Sequence, residues 1–165
     1  HGLLFSPDHG MEFVIDTYIE AVERAVTFTP EVQVGVNEVE VEGMATTGDT
    51  VGYILHGPST IAYTGVTGYG KPDIDSQVDV FIIHCPHVSS SHRDEMDVED
   101  ATVLVDKVEP EIAVLTGFGP DASPLSMART VQKETGVNTN AAKDGLVIDP
   151  DTFSSSVRQK RLREY

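Results

Sequence analysis

Two apolar, β-prone runs each stop abruptly at a glycine turn: Ile61-Ala-Tyr-Thr-Gly-Val-Thr-Gly-Tyr-Gly70 and Val114-Leu-Thr-Gly-Phe-Gly119. They constrain the fold more than any other feature of the chain. In an α/β protein, runs of this kind are buried strands that deliver residues to a site at their C-terminal edge. The order of the flanking segments agrees. Val32-Gln-Val-Gly and Val39-Glu-Val-Glu-Gly alternate as half-solvated strands do, turning near Gly35-Val-Asn37. Val51-Gly-Tyr-Ile-Leu-His-Gly57 and Ile61-Ala-Tyr-Thr64 form the next pair, joined by a turn at Gly57-Pro-Ser. Val78 to Cys85 is a nearly continuous apolar run, as a central strand covered on both faces requires. Asp97 is placed to cap a helix through Lys107, whose apolar face holds Val98, Ala101, Leu104 and Val105. Pro110 closes that segment and Ile112 to Thr116 is the next buried strand. A second helix spans Pro124 to Thr135 and stops at Gly136, and short strands follow around Asn138 to Ala141 and Leu146 to Ile148. Antiparallel strands followed by βαβ crossovers predict a layered α/β sheet.

At the start of the chain, apolar residues recur at Met11, Val14, Ile15, Tyr18, Ile19, Val22 and Val26, which predicts a helix with Asp8 as its cap. One domain is expected over residues 1–150, with a helical segment over 1–31 and a polar tail over 151–165. The 165 residues suffice to bury about 70% of the unfolded surface. No apolar run approaches the ~20 residues of a membrane span, and no secretory signal is expected at His1-Gly-Leu-Leu-Phe5. Cys85 is the single cysteine, so no internal disulfide forms. A cytoplasmic protein is expected.

Charge is the strongest compositional signal: 27 Asp and Glu against 11 Lys and Arg, a net −16. Self-repulsion on this scale opposes compaction. In molar salt the screening length falls to about 3 Å, and the acidic surface then keeps a protein hydrated. The acids are spread along the chain, which predicts a halophile's surface rather than a cation site. No basic stripe exists, so nucleic-acid binding is not expected. The Arg158-Gln-Lys-Arg-Leu-Arg163 cluster reads as a frayed helical end.

Both glycine turns resemble strand ends of the metallo-β-lactamase fold, a superfamily of metal-dependent hydrolases. The resemblance runs from about Val32 to Pro150 and includes the closing Ala141-Ala-Lys-Asp-Gly-Leu-Val-Ile148. It implies half of an αββα sandwich, a mixed sheet with helices on one face. In that family the turns usually read Tyr-Thr-Gly-Asp-Thr and Leu-Thr-His-Phe-Gly, with the Asp and the His holding metals. Val66 and Gly117 stand in those places here. Another ligand His would fall near Thr46, Thr47 or Gly48, and Thr47 is taken as its place. The His-x-His-x-Asp-His motif of the N-terminal half is absent. Asp8-His9 matches its end, but Leu4 and Ser6 replace the earlier His, and the match reads as coincidence. The family's metals lower the pKa of a bridging water and polarise the scissile bond. With those ligands replaced, no inherited dinuclear centre and no cofactor are expected.

A rebuilt site is the alternative. His84, Cys85, His87 and His92 cluster after a strand end and are chemically competent for zinc or another divalent transition metal. His92 also resembles the His that precedes a helix in nuclease-like branches of the family, which makes it the candidate catalytic residue. Strand alternation places His84 and Cys85 on opposite faces, leaving His84, His87 and His92 as the alternative ligands. The Asp94 to Asp100 acids read as a solvated helix start, and Tyr63 and Tyr69 as packing residues.

A lone half leaves one apolar sheet face uncovered. At ~25 cal/mol per Å², exposing several hundred Å² forfeits many kcal/mol. A second copy about a two-fold axis is the simplest cover, so a homodimer is expected. A separate chain carrying the N-terminal half is the rival cover. The functional expectation is a structural or interaction module. The alternative is a hydrolase acting on phosphoesters, nucleic acids or lactones.

Overall fold

The computed structural model describes residues 2–6, 22–27, 33–36, 39–47, 50–68, 70, 72–89 and 94–157, the first three stretches as backbone only. Strands β1 (Gly2–Ser6) and β2 (Val22–Thr27) pair in parallel as a two-stranded sheet. A seven-stranded sheet follows, built from β3 (Gln33–Val36), β4 (Val39–Ala45), β5 (Val51–His56), β6 (Ile61–Tyr63), β7 (Val80–His84), β8 (Ile112–Thr116) and β9 (Asn138–Ala141), adjacent in that order. The pairs from β3 to β6 are antiparallel, and those from β6 to β9 are parallel. Helix α1 (Val98–Val108) crosses from β7 to β8, and α2 (Pro124–Thr135) from β8 to β9. Strands β10 (Leu146–Asp149) and β11 (Ser154–Val157) close as an antiparallel hairpin.

The helix ends form as their residues dictate. The Asp97 carboxylate accepts from the Glu99 and Asp100 amides at 2.9 and 3.1 Å, and Asp100 returns a bond to the Asp97 amide, completing a capping box. Helix α2 starts with Pro124 in its first turn and stops at Gly136, whose amide donates to the Gln132 carbonyl. Strand alternation then divides the sheet into two faces. Met44, Ile54, Ala62, Phe81, Ile83, Cys85, Ala113 and Leu115 pack with α1 residues Ala101, Leu104 and Val105 and α2 residues Met127, Ala128 and Val131. This is the core, and it lies on the helix side.

The opposite face is apolar and only partly covered. Val41, Tyr53, Leu55, Ile61, Tyr63 and Ile82 line a hollow of about 360 Å³. Ile61 and Ile82 also border a second, about 390 Å³, that runs past Val114 to Leu146, Ile148 and Pro150 beside the closing hairpin. The mixed α/β sheet with helices on one face is therefore as the sequence implies.

One reading is corrected. The helix expected from Met11 to Val26 does not reach its end, because Val22–Thr27 is a strand. Its β-branched residues satisfy their backbone by pairing with β1, and tertiary pairing outweighs an apparent helical period. The remainder of that segment and its Asp8 cap lie outside the described residues. Within the polar tail, Ser154–Val157 pairs with Leu146–Asp149. Main-chain hydrogen bonds need no apolar side chains, so a serine run pairs without a hydrophobic signal. No helix among the described residues is long and apolar enough to cross a membrane.

Candidate functional site

The C-terminal ends of β6, β7 and β8 lie side by side, so the segments 64–68, 85–89 and 117–119 share one edge. Buried Thr64 ties the first to the second. Its amide donates to the Ile82 carbonyl at 3.0 Å, and its hydroxyl accepts from the His84 amide at 3.0 Å. The Cys85 amide donates to the Thr116 carbonyl at 2.8 Å, and the Gly119 amide to the Pro86 carbonyl at 3.0 Å. The three ends are thus one hydrogen-bonded unit.

None of the three places that the resemblance assigns to metal ligands, 47, 66 and 117, carries a carboxylate, imidazole or thiol. Val66 is 37% exposed, and its carbonyl accepts the Thr50 hydroxyl at 2.6 Å. Thr47 is committed to the backbone of the same loop: its hydroxyl accepts the Gly68 amide at 2.9 Å, and its own amide donates to the Thr67 hydroxyl at 3.0 Å. Thr46 donates to the Thr50 carbonyl at 2.6 Å. Threonine hydroxyls therefore fasten the β4–β5 turn to the loop after β6. Gly117 has φ +72, in the left-handed region, and a Cβ there would collide with the His84 imidazole.

The alternative ligands divide. Cys85 is fully buried in the helix-side core, donates to the His87 carbonyl at 3.8 Å, and has its thiol pushed up to about 12 by burial, then by Asp97 and Asp100. Its side chain packs among Phe81, Ile83, Met96 and Leu115 rather than at the strand-end surface. His84 is half-buried on the other side of β7. Burial holds its imidazole below the usual value, with His87 lowering it further and Glu95 opposing. His87 Nε2 lies 2.6 Å from Glu95 Oε2. His84, His87 and Glu95 thus converge on one strand end, while His92 lies outside the described residues, as do His9 and Tyr69. Glu95 is the residue that sequence reasoning missed, since it sits in an acidic run that reads as solvent-facing. Its spacing of eight from His87 carries no periodic signal. Tyr63 lies directly across from Tyr53 on the open sheet face, as packing residues do.

The family's metals need carboxylate or imidazole at places that hold a backbone-bound threonine, an exposed valine and a glycine whose side-chain volume the His84 ring occupies. Among the described residues, no three His, Cys, Asp or Glu side chains form a metal-holding group. The residues described do not fit the dinuclear centre.

No family model matches the sequence, and no curated protein matches it. Solved structures do match in shape. A metallo-β-lactamase fold protein, YhfI from Bacillus subtilis, superposes with a TM-score of 0.67 at 13% identity, over 86% of this chain and 62% of that one. A diphosphatase of the PhnP family gives 0.63 at 14% identity, over 87% and 56%. The isothiocyanate hydrolase from Delia radicum gut bacteria gives 0.63 at 13%, over 86% and 64%. This chain therefore has the metallo-β-lactamase fold, and it spans less than two thirds of the length of each of these three structures.

Proposed function

We propose that this chain is a metal-ligand-deficient version of the metallo-β-lactamase fold that works as a salt-adapted homodimeric structural or interaction module. The observation that carries this reading is the state of residues 47, 66 and 117. A threonine bound to backbone, a solvent-facing valine and a left-handed glycine replace side chains that would donate electron pairs. Without a metal to lower the pKa of water, the fold has no inherited nucleophile. Its apolar open face, bordered by Val41, Tyr53, Leu55 and Ile61, is the surface for a second copy, whose sheet would complete the αββα layers. The test is metal content after dialysis together with solution mass, both in 2 M KCl. We expect no stoichiometric zinc, manganese or iron, and a particle of twice the 17.9 kDa chain mass. Tightly held transition metal at one ion per chain would overturn the reading.

A second reading has its own support in the convergence of His84, His87 and Glu95. It makes the chain a hydrolase of phosphoesters, nucleic acids or lactones, with zinc or another divalent metal held by His84, His87 and His92. A partner chain bearing the His-x-His-x-Asp-His half is the other route to a full site. The names of the diphosphatase and the isothiocyanate hydrolase lend this reading a precedent for hydrolysis on the fold. It requires chelator-sensitive turnover that disappears in His92→Ala. Turnover that survives both chelation and His92→Ala would remove it.

A further inference from the structure

We infer that His84 is a plug: its imidazole occupies the volume a side chain at position 117 would need, and so closes the strand-end place from which a metal-ligating histidine would project. The inference rests on the ligand-deficient reading of residue 117 and adds what fills the vacancy. Strands β7 and β8 are parallel with His84 opposite Thr116, so Gly117 lies one residue past the partner of His84. A Cβ built on Gly117 would fall onto Nδ1 and Cε1 of the His84 ring, with Cγ next nearest at 2.9 Å. The backbone adds an independent bar, because φ +72 strains any L side chain.

The strand that carries His84 is fixed on both sides, since the His84 amide bonds to Thr64 and the following amide to Thr116. Beyond the ring stands the His87–Glu95 pair. Neither hollow on the open sheet face is lined by Thr47, Val66, His84 or Gly117. The groove of about 530 Å³ between α1 and α2, lined by Glu99, Thr102, Ser126 and Glu134, is not lined by them either. A histidine restored at 117 would have to displace the His84 ring.

A double-mutant cycle on the full chain in 2 M KCl tests the plug. Gly117→Ala should lower the thermal midpoint by roughly 5 °C or more. In a His84→Ala background the same substitution should cost about half as much, because only the backbone strain remains. Equal losses in both backgrounds would overturn the plug. A second measurement needs no variant at position 117. In the unsubstituted protein, a nuclear Overhauser contact should join a His84 ring proton to a Gly117 Hα, and that Hα should carry a ring-current shift that vanishes in His84→Ala. Absence of both signals would equally overturn it. The outcome separates from that of the ligand-deficient reading. Metal found on the unsubstituted protein sinks that reading and leaves the coupling intact, whereas a metal-free protein with no coupling sinks only the plug.

Discussion

His84 and Cys85 are neighbours in sequence, yet strand alternation gives them different chemistry. Cys85 enters the helix-side core, where burial and the nearby Asp97 and Asp100 raise its thiol to about 12. At pH 8 the native protein should therefore resist iodoacetamide for hours, while the same thiol in denaturant should react within minutes; equal rates would show that the core is open there. The sign for stability follows from the raised value. The folded thiol keeps its proton after the unfolded one has begun to lose it near 9, so this contribution fades as pH rises from about 9 toward 12. His84 runs the other way. Its pKa is depressed, chiefly by burial and further by His87, against the pull of Glu95. The unfolded chain binds that proton more readily, so stability falls as pH drops below about 6.5. Denaturation midpoints measured from pH 8 down to pH 5 should fall more in the unsubstituted protein than in His84→Ala. Parallel curves would show that the imidazole is not desolvated.

The turn that joins β4 to β5 is held by hydroxyls rather than by apolar packing. Thr67 is fully buried and accepts the Thr47 amide, while the Thr47 hydroxyl accepts the Gly68 amide. Thr67→Val should cost about 1–3 kcal/mol by chemical denaturation, since it strands a backbone donor, and Thr67→Ser should restore most of that. A valine variant as stable as the parent would mean that the clamp contributes nothing. Asp97→Ala should cost about 1 kcal/mol through the lost cap of α1. That cap was legible in the sequence because Asp97 precedes an apolar stripe at helical spacing. The stop of α2 at Gly136 was legible because only glycine takes φ +78 there without strain. Strands β3 to β9 were legible because period two and glycine or proline turns act locally. The hydroxyl clamp, the His87–Glu95 pair and the His84–Gly117 interlock were not, because each joins residues whose nearness is set by strand pairing. The same limit misassigned Val22–Thr27, whose apolar spacing suits a helix while its pairing with β1 makes it a strand. The proposal that 66 and 117 are vacated ligand places rests on resemblance, since a valine or a glycine announces no chemistry by itself.

For the molecule as a whole, two opposing terms bear on the proposed dimer. The open sheet face presents Val41, Tyr53, Leu55, Ile61, Tyr63 and Ile82 on one apolar surface, and burying it favours association. A net charge of −16 per chain opposes bringing two copies together. The balance must then depend on salt, because a screening length near 10 Å at 0.1 M leaves repulsion between the rims intact, whereas about 3 Å at 1 M removes most of it. Sedimentation in 2 M KCl should give a dimer, and lowering KCl to 0.1 M should shift it toward single chains and lower its thermal midpoint. Leu55→Glu places a charge at the centre of the face without touching the helix-side core. It should give single chains at every salt concentration while the helical circular dichroism is retained. A Leu55→Glu variant that remained dimeric in 2 M KCl would show that the two copies meet elsewhere and that the sheet face has another cover. A dimer lost in that variant and also in dilute salt would tie the acidic surface and the bare sheet to one assembly, in which salt supplies what charge withholds.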